Sequence, residues 1–540
     1  MHAFTGTWQL VRLALRRDRV KLSIIILTLS GVFYASVAQT IALYGKAEQQ
    51  LTYVATTAPS VVSRVFGGPI DGPDIGAIVL NETFLFTALT VAFMSTLTVV
   101  RHTRQNEEFG RSDLIESGVV SRHASLTAAL LVTVLANVLF AVLVALILIA
   151  NDLPAAGSIG TGAAMGAVGI TFAALAGVAA QMTDSARGAN SFSALIIGVA
   201  FLLRAIGDSL GSLTRGGLAI QSAFPSWLSP IGWAQLVHPY TQGNWWIFGL
   251  FGGLFAGAVG LSVVLMAKRD IGMGMIATRL GPARAARNLL SPFGLAWRLQ
   301  SGILRGWAVT IVVLGVTYGL VVKEFQDLLE ENEVFQKALA ELGGDANDAF
   351  LGVLIVFMGI TIAGYAIQAL LRMRSEEANG QLESVLGTSV SRTRWMLSHI
   401  GFTAMGVFVL SLLDALSMGV TYVLATGGSW SKLQEIAAAT FTQSAAVFAL
   451  AGFVIVLFSL LPRMAVPVAW GSFAACLLVL QLGVLLDLPQ WIMNLSPFGH
   501  LPAMPAQAFR LAPFLWLCVA SIALLSAGLA AFNRRDITTS

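Results

Sequence analysis

The sequence predicts an all-α membrane protein whose twelve transmembrane helices form two parallel six-helix repeats. Three observations carry that reading. First, 56% of the residues are hydrophobic and only 11% are charged, against about 25% charged in a soluble globular chain. Second, the chain holds twelve runs of mostly apolar residues near the ~20-residue length that crosses a bilayer. Third, a polar island set between two of these runs occurs twice, about half a chain apart.

The apolar runs lie near 22–44, 80–100, 125–150, 160–181, 191–210 and 244–267, then 303–322, 349–371, 398–425, 435–461, 466–487 and 511–532. With both termini in the cytoplasm, the large majority of the 32 Lys and Arg residues fall on the inner side, as the positive-inside rule requires. Arginine far outnumbers lysine, and alanine and glycine are abundant, which points to a high-GC bacterial source. The expected location is the bacterial plasma membrane, multi-pass.

Trp8 to Lys21 reads as a basic amphipathic helix lying on the inner leaflet ahead of the first span. Trp297 to Arg305 echoes it at the same spacing. That echo argues against cleavage after Ser36-Val-Ala38, because both halves then need their first span. Residues 45–79 form an outside loop ending in the turn-rich Phe66-Gly-Gly-Pro-Ile-Asp-Gly-Pro73. At the matching place in the second half, Phe325, Leu328, Leu329, Phe335, Leu339 and Leu342 recur at helical steps. This predicts a short external amphipathic helix, either packed on the outer mouth or binding a ligand.

After the fifth run stands Phe224-Pro-Ser-Trp-Leu-Ser-Pro-Ile-Gly-Trp233, and after the eleventh Leu488-Pro-Gln-Trp-Ile-Met-Asn-Leu-Ser-Pro-Phe-Gly499. Both suit a broken interfacial segment, as an ordinary aromatic belt or as a lid. The halves also close alike, on Lys268-Arg-Asp-Ile271 and Arg534-Arg-Asp-Ile537. The expected organisation is a first half over 1–270, a basic linker and connecting helix over 271–300, and a second half over 301–540. Six spans is an even number, so the halves insert with the same orientation.

The island itself runs from Arg104 to Arg122 and again from Arg374 to Arg392. Its skeleton is Arg, then Glu-x-x-Gly-x-x-acid, then Val-Ser-Arg. The matched members are Glu107 with Glu377, Gly110 with Gly380, Asp113 with Glu383, and Arg122 with Arg392. Gly110 and Gly380 are placed to break the preceding helix. A short helix follows, Arg111 to Ser117 and Gln381 to Leu386, with Gly118 and Gly387 as C-caps. The acids Glu107, Asp113, Glu377 and Glu383 flank this knob, where they suit the basic residues of a partner.

No Gly-x-x-x-x-Gly-Lys-Ser/Thr occurs, so the chain has no P-loop. The six histidines lack metal-ligand spacing. Cys476 and Cys518 lie in apolar runs and form no framework. No nucleophile and base stand together. The chain is therefore expected to be no enzyme, with no cofactor or metal of its own. Nucleic acid is not an expected partner; the bilayer is. Charges within spans are the remaining candidates. Arg204 and Asp208, four apart, suit a structural intramembrane pair. Asp414 suits either a polar helix contact or the lining of a substrate route.

The duplicated Glu-x-x-Gly-x-x-acid loop, the Pro-x-Trp and Ser-Pro segments and the Arg-Asp-Ile ends together resemble the type-two ABC exporter permeases, in their duplicated tetronasin-type subgroup for polyketide antibiotics and drugs. The resemblance covers essentially the whole chain. It implies that the two loops, through Glu107, Gly110, Asp113, Arg122, Glu377, Gly380, Glu383 and Arg392, are coupling helices seated in a separate ATP-binding-cassette ATPase, a homodimer for each chain. ATP and Mg then belong to that partner. The substrate is a hydrophobic or amphipathic small molecule. One departure is visible. Such loops usually carry proline just before Val-Ser-Arg, where this chain has Val119 and Ser389. The alternative is a twelve-span proton-coupled facilitator, also a six-plus-six parallel repeat. Its Gly-x-x-x-Asp-Arg-x-Gly-Arg-Arg loop pattern does not occur here. A lipid-handling membrane enzyme is disfavoured by the lack of convergent catalytic residues.

Overall fold

A computed structural model describes residues 5–241, 243–270, 272–276, 284–331, 346–482 and 489–537, without the side chains of 113, 115, 116, 215, 288, 327–331, 481 and 482. The chain divides into two units, Met1–Gly281 and Pro282–Ser540. Both are helical, and the protein is a multi-pass membrane protein. Among the described residues, eleven helices are long and apolar enough to cross a membrane. The twelfth expected span, 466–487, begins in Ala465–Leu482 and its end lies outside the described residues.

The first unit opens with α1, Thr7–Tyr44. The basic surface helix expected before the first span is not a separate element. It runs unbroken into the span, because no proline interrupts residues 7–44. Thirty-eight residues reach roughly 57 Å at 1.5 Å each, well beyond a ~30 Å hydrocarbon core. Val11, Ala14, Asp18, Leu22, Ile26, Leu29, Phe33 and Val37 form its buried stripe at three- and four-residue steps.

The loop after α1 holds two short helices, α2 (Ala47–Thr57) and α3 (Val61–Phe66), before α4 (Ile75–His102). The island gives α5 (Arg104–Glu108) and α6 (Arg111–Glu116). Then come α7 (Ala124–Ala150), α8 (Ala155–Met182) and α9 (Ala186–Ser209). Helices α7 and α8 approach closely: a Cβ on Gly162 would stand 2.3 Å from the Ala141 carbonyl oxygen, so only glycine fits. After α9 a small antiparallel hairpin, β1 (Ser212–Thr214) with β2 (Ala219–Gln221), leads to a 3-10 turn at Phe224–Leu228 and to α10 (Pro230–Leu236). The Pro-x-Trp segment is thus broken in the middle. Helix α11, Ile247–Lys268, closes the unit.

The second unit is built from a similar series of long helices. Helix α12, Pro292–Glu331, again fuses the Trp297 segment with the span that follows. The external amphipathic helix expected near 325–342 falls largely outside the described residues. Next are α13 (Ala346–Leu370), α14 (Arg372–Ala378), α15 (Gln381–Leu386), α16 (Arg392–Thr426), α17 (Ser431–Leu460) and α18 (Ala465–Leu482). A broken segment follows, α19 (Gln490–Met493) and a 3-10 turn at Pro497–His500, and then α20 (Leu511–Arg534). Each unit buries its own apolar core: Phe84, Phe140 and Phe172 in the first, Phe402, Phe458 and Phe532 in the second.

Candidate functional site

The island folds the same way in both units. Helix α4 ends at His102, and Thr103, at φ −110° and ψ −90°, turns the chain into α5. Gly110 takes the left-handed conformation at φ +66°, and Gly380 does so at φ +70°. A Cβ at either position would meet nothing within 4 Å, so the backbone angle alone demands glycine. Gly387 does cap α15, but with helical φ −67°, and Gly118 has no positive φ either. Gly387 is thus the C-cap the sequence predicts, reached without a left-handed turn.

The acid of the loop meets the arginine of the terminal Arg-Asp-Ile motif. In the first unit Arg269, just past α11, holds both carboxylate oxygens of Glu107, at 2.6 Å and 2.8 Å. Such forked pairing is the strong form of an arginine–carboxylate contact. Arg104, fully buried, donates to Glu107 from the other side. The Arg269 Nε donates to Gln181 Oε1 at 2.6 Å, which anchors it on α8. Arg122, from Val-Ser-Arg, donates to the backbone carbonyl of Arg269. Glu107, Arg122, Gln181 and Arg269 line a pocket of about 20 Å³.

The second unit rebuilds the arrangement. Arg535, just past α20, donates to Glu377, whose side chain is fully buried. Arg374 stands 3.6 Å from the other Glu377 oxygen. Arg392 donates to the backbone carbonyl of Arg535 at 2.6 Å. The Arg535 guanidinium also lies over the rings of Phe458 and Phe532, at 5.2 Å and 5.5 Å. Glu107 and Glu377 are engaged inside their own units, so the expectation of acids held out to a partner does not describe them. Burial explains it: a carboxylate this far from water requires a cation in hydrogen-bonding contact. Glu383 is exposed, and the Asp113 side chain lies outside the described residues.

The first knob is tied to further elements. Glu108 accepts from the Ala186 amide at 2.8 Å, at the start of α9. Arg17 on α1 donates to Asn106 at 3.0 Å, and the Ser121 amide donates to the Thr5 carbonyl at 2.9 Å. Buried Asp18 on α1 lies 3.0 Å from Arg101 and 2.6 Å from His102. In the second unit Gln300 on α12 meets His399 at 2.7 Å, while Glu376 pairs with Arg372 at 3.2 Å.

Arg204 and Asp208 are both buried, with Nε and Oδ2 2.7 Å apart. They do more than pair. Arg204 also donates to Gln235 at 2.9 Å and to the Val65 carbonyl at 2.6 Å, and Ser226 donates to Asp208 at 2.6 Å. The pair therefore pins the end of α3 and the broken segment to α9. Asp414 is fully buried on α16, where Thr440 of α17 donates to it at 3.4 Å. In the second unit an apolar cavity of about 470 Å³ opens between α17, α18 and the broken segment, lined by Leu450, Phe453, Cys476 and Leu495 among others. In the first, a polar cavity of about 410 Å³ is lined by Asp71 and His238, whose Oδ1 and Nδ1 lie 2.5 Å apart, among others.

In sequence, Lys268-Arg-Asp-Ile271 and Arg534-Arg-Asp-Ile537 stand only as matching ends, with no role visible for Arg269 and Arg535. The signal was there: an arginine repeated near the end of each half, as the glutamate it binds is repeated in each island.

The chain aligns over 539 residues, 37% identical, with the multidrug efflux system permease protein Rv1217c of Mycobacterium tuberculosis (strain ATCC 25618 / H37Rv), covering 99% of this chain and 96% of that protein. It belongs to the Rv1217c-like multidrug efflux permease family. Residues 289–533 also match the family described as the C-terminal domain of the multidrug efflux system permease Rv1217c. That match holds the whole second knob, with Glu377, Gly380, Glu383 and Arg392. The family likeness is therefore not confined to the apolar helices of this permease; it includes the loop that the second unit clamps.

Proposed function

We propose that this chain is the transmembrane subunit of an ATP-driven exporter of hydrophobic or amphipathic compounds, of the duplicated tetronasin-type among type-two ABC exporter permeases. The observation that carries the reading is the twice-built clamp, Glu107 with Arg269 and Glu377 with Arg535. A loop that merely connected two spans has no need of an ion pair to the residue that follows the last helix of its unit. A knob that receives a push does, because a rigid contact passes displacement on.

In this reading both termini and both knobs face the cytoplasm. A separate ATP-binding-cassette ATPase, a homodimer, binds ATP and Mg and seats α6 and α15. Its closure moves each knob, and the clamps carry that movement into α11 and α20. Reorganised helices then release substrate outward. Few charges lie within the spans, which suits an apolar cargo. The name of the Mycobacterium tuberculosis relative supports a permease of drug efflux, and the absence of a P-loop in the sequence supports a partner that supplies the hydrolysis.

The test is transport in inverted vesicles holding the chain with and without its ATPase. The reading requires accumulation of a hydrophobic dye that needs both ATP and the ATPase. Accumulation driven by a proton gradient alone makes the chain a facilitator instead.

A further inference from the structure

The two knobs share a skeleton and a clamp, yet their outer faces differ. In the first knob Phe109, Leu114 and Val119 are 61%, 79% and 69% exposed. The residues at the matching places in the second are Asn379, Ser384 and Ser389, all exposed and all polar. The second knob turns its apolar residues inward: Leu382 is fully buried, and Val385 and Leu386 pack on the core of their unit. The first knob has buried Ser112 where the second has Leu382. So each of the three exposed large apolar residues of the first knob has a polar counterpart in the second, while Gly110 and Gly380 keep the same backbone.

We propose that the knobs are unequal docking elements, the first being the anchor that places Phe109, Leu114 and Val119 in an apolar socket of the ATPase. The inference rests on the function proposed above. Large apolar side chains left exposed beside charge are the usual material of a protein contact. Arg111 stacks over the Phe109 ring at 5.3 Å and supplies such a rim. Charge speaks against the bilayer surface as the occupant. Residues 104–117 carry Glu107, Glu108, Asp113 and Glu116 against Arg104 and Arg111, whereas segments that lie on anionic lipid are rich in Lys and Arg. The second knob, polar outside, docks the matching socket more weakly. A symmetric homodimer is then held unevenly, and the second knob is the one that detaches and reseats during turnover.

The experiment uses the full chain in nanodiscs and the ATP-binding-cassette protein whose hydrolysis the wild-type chain stimulates. Phe109→Ser, Leu114→Ser and Val119→Ser are combined in one variant. Asn379→Ala, Ser384→Ala and Ser389→Ala form the other. The expected result is at least tenfold weaker ATPase binding for the first variant and less than threefold for the second. The exchange Asn379→Phe, Ser384→Leu, Ser389→Val is expected to tighten binding. Equal losses from the two knobs, or none from the first, overturn the inference while leaving the exporter reading intact. A wild-type chain that stimulates no such ATPase overturns both. A polarity-sensitive label on Leu114→Cys adds a separate check. Quenching by nitroxide lipids without the ATPase puts the patch in the membrane and overturns the proposal.

Discussion

Arg269 grips Glu107 through two hydrogen bonds although 162 positions separate them in the chain, and 158 positions separate Glu377 from Arg535. Two near-equal spans, each closed by the same residue types, make the clamp a duplicated device rather than an accident of packing. Breaking a buried ion pair from one side costs about 3–5 kcal/mol, because the other charge is left uncompensated. Arg535→Met is therefore expected to lower the thermal midpoint of the purified chain markedly. Arg535→Lys, which keeps the charge but loses the planar guanidinium over Phe458 and Phe532, is expected to fall between. Scanning fluorimetry in one detergent decides it; equal midpoints for Met and wild type contradict the clamp.

Gly110→Ala and Gly380→Ala each force a side chain into left-handed backbone, at a cost of roughly 1–2 kcal/mol. Open space around both positions excludes a clash as the cause. Asparagine tolerates this backbone better than alanine, so Gly380→Asn is expected to be the milder change. A midpoint series of Gly, Asn and Ala checks the order.

Arg204→Met is expected to reduce the folded yield severely. It strands buried Asp208 and the Val65 carbonyl together, a loss of about 3–5 kcal/mol. Ser226→Ala removes one hydrogen bond to the same carboxylate, at about 1–3 kcal/mol. Membrane-fraction yield and thermal midpoint should rank wild type, Ser226→Ala, then Arg204→Met.

Asp414 stands where the first unit has Val144, counting from Arg392 and Arg122. Asp414→Asn is expected to lower transport of cationic substrates at unchanged expression. Uptake of a cationic and a neutral dye, side by side, reads it out. Equal transport of both removes Asp414 from the substrate route.

Much of the helix order was legible, because hydropathy over ~20 residues reports burial in lipid directly. The breaks at Gly110 and Gly380 were legible too, since the whole motif repeats around them. Three features were not. The fusion of Trp8–Lys21 with the first span depends on the lack of a helix breaker, which an amphipathic pattern does not reveal. The hairpin at 212–221 has three-residue strands, too short for any period to emerge. The partners of Glu107 and Glu377 lie at the far ends of their units, and no local rule in sequence links residues that distant. Only the repetition of Arg-Asp-Ile hinted at them.

The most direct test of the clamp as a transmission is the number of substrate molecules moved per ATP hydrolysed, in vesicles holding the ATPase and the Glu107→Gln, Glu377→Gln double variant. The account requires hydrolysis to continue while transport per ATP falls at least tenfold. An unchanged ratio, with both glutamates neutralised, contradicts it.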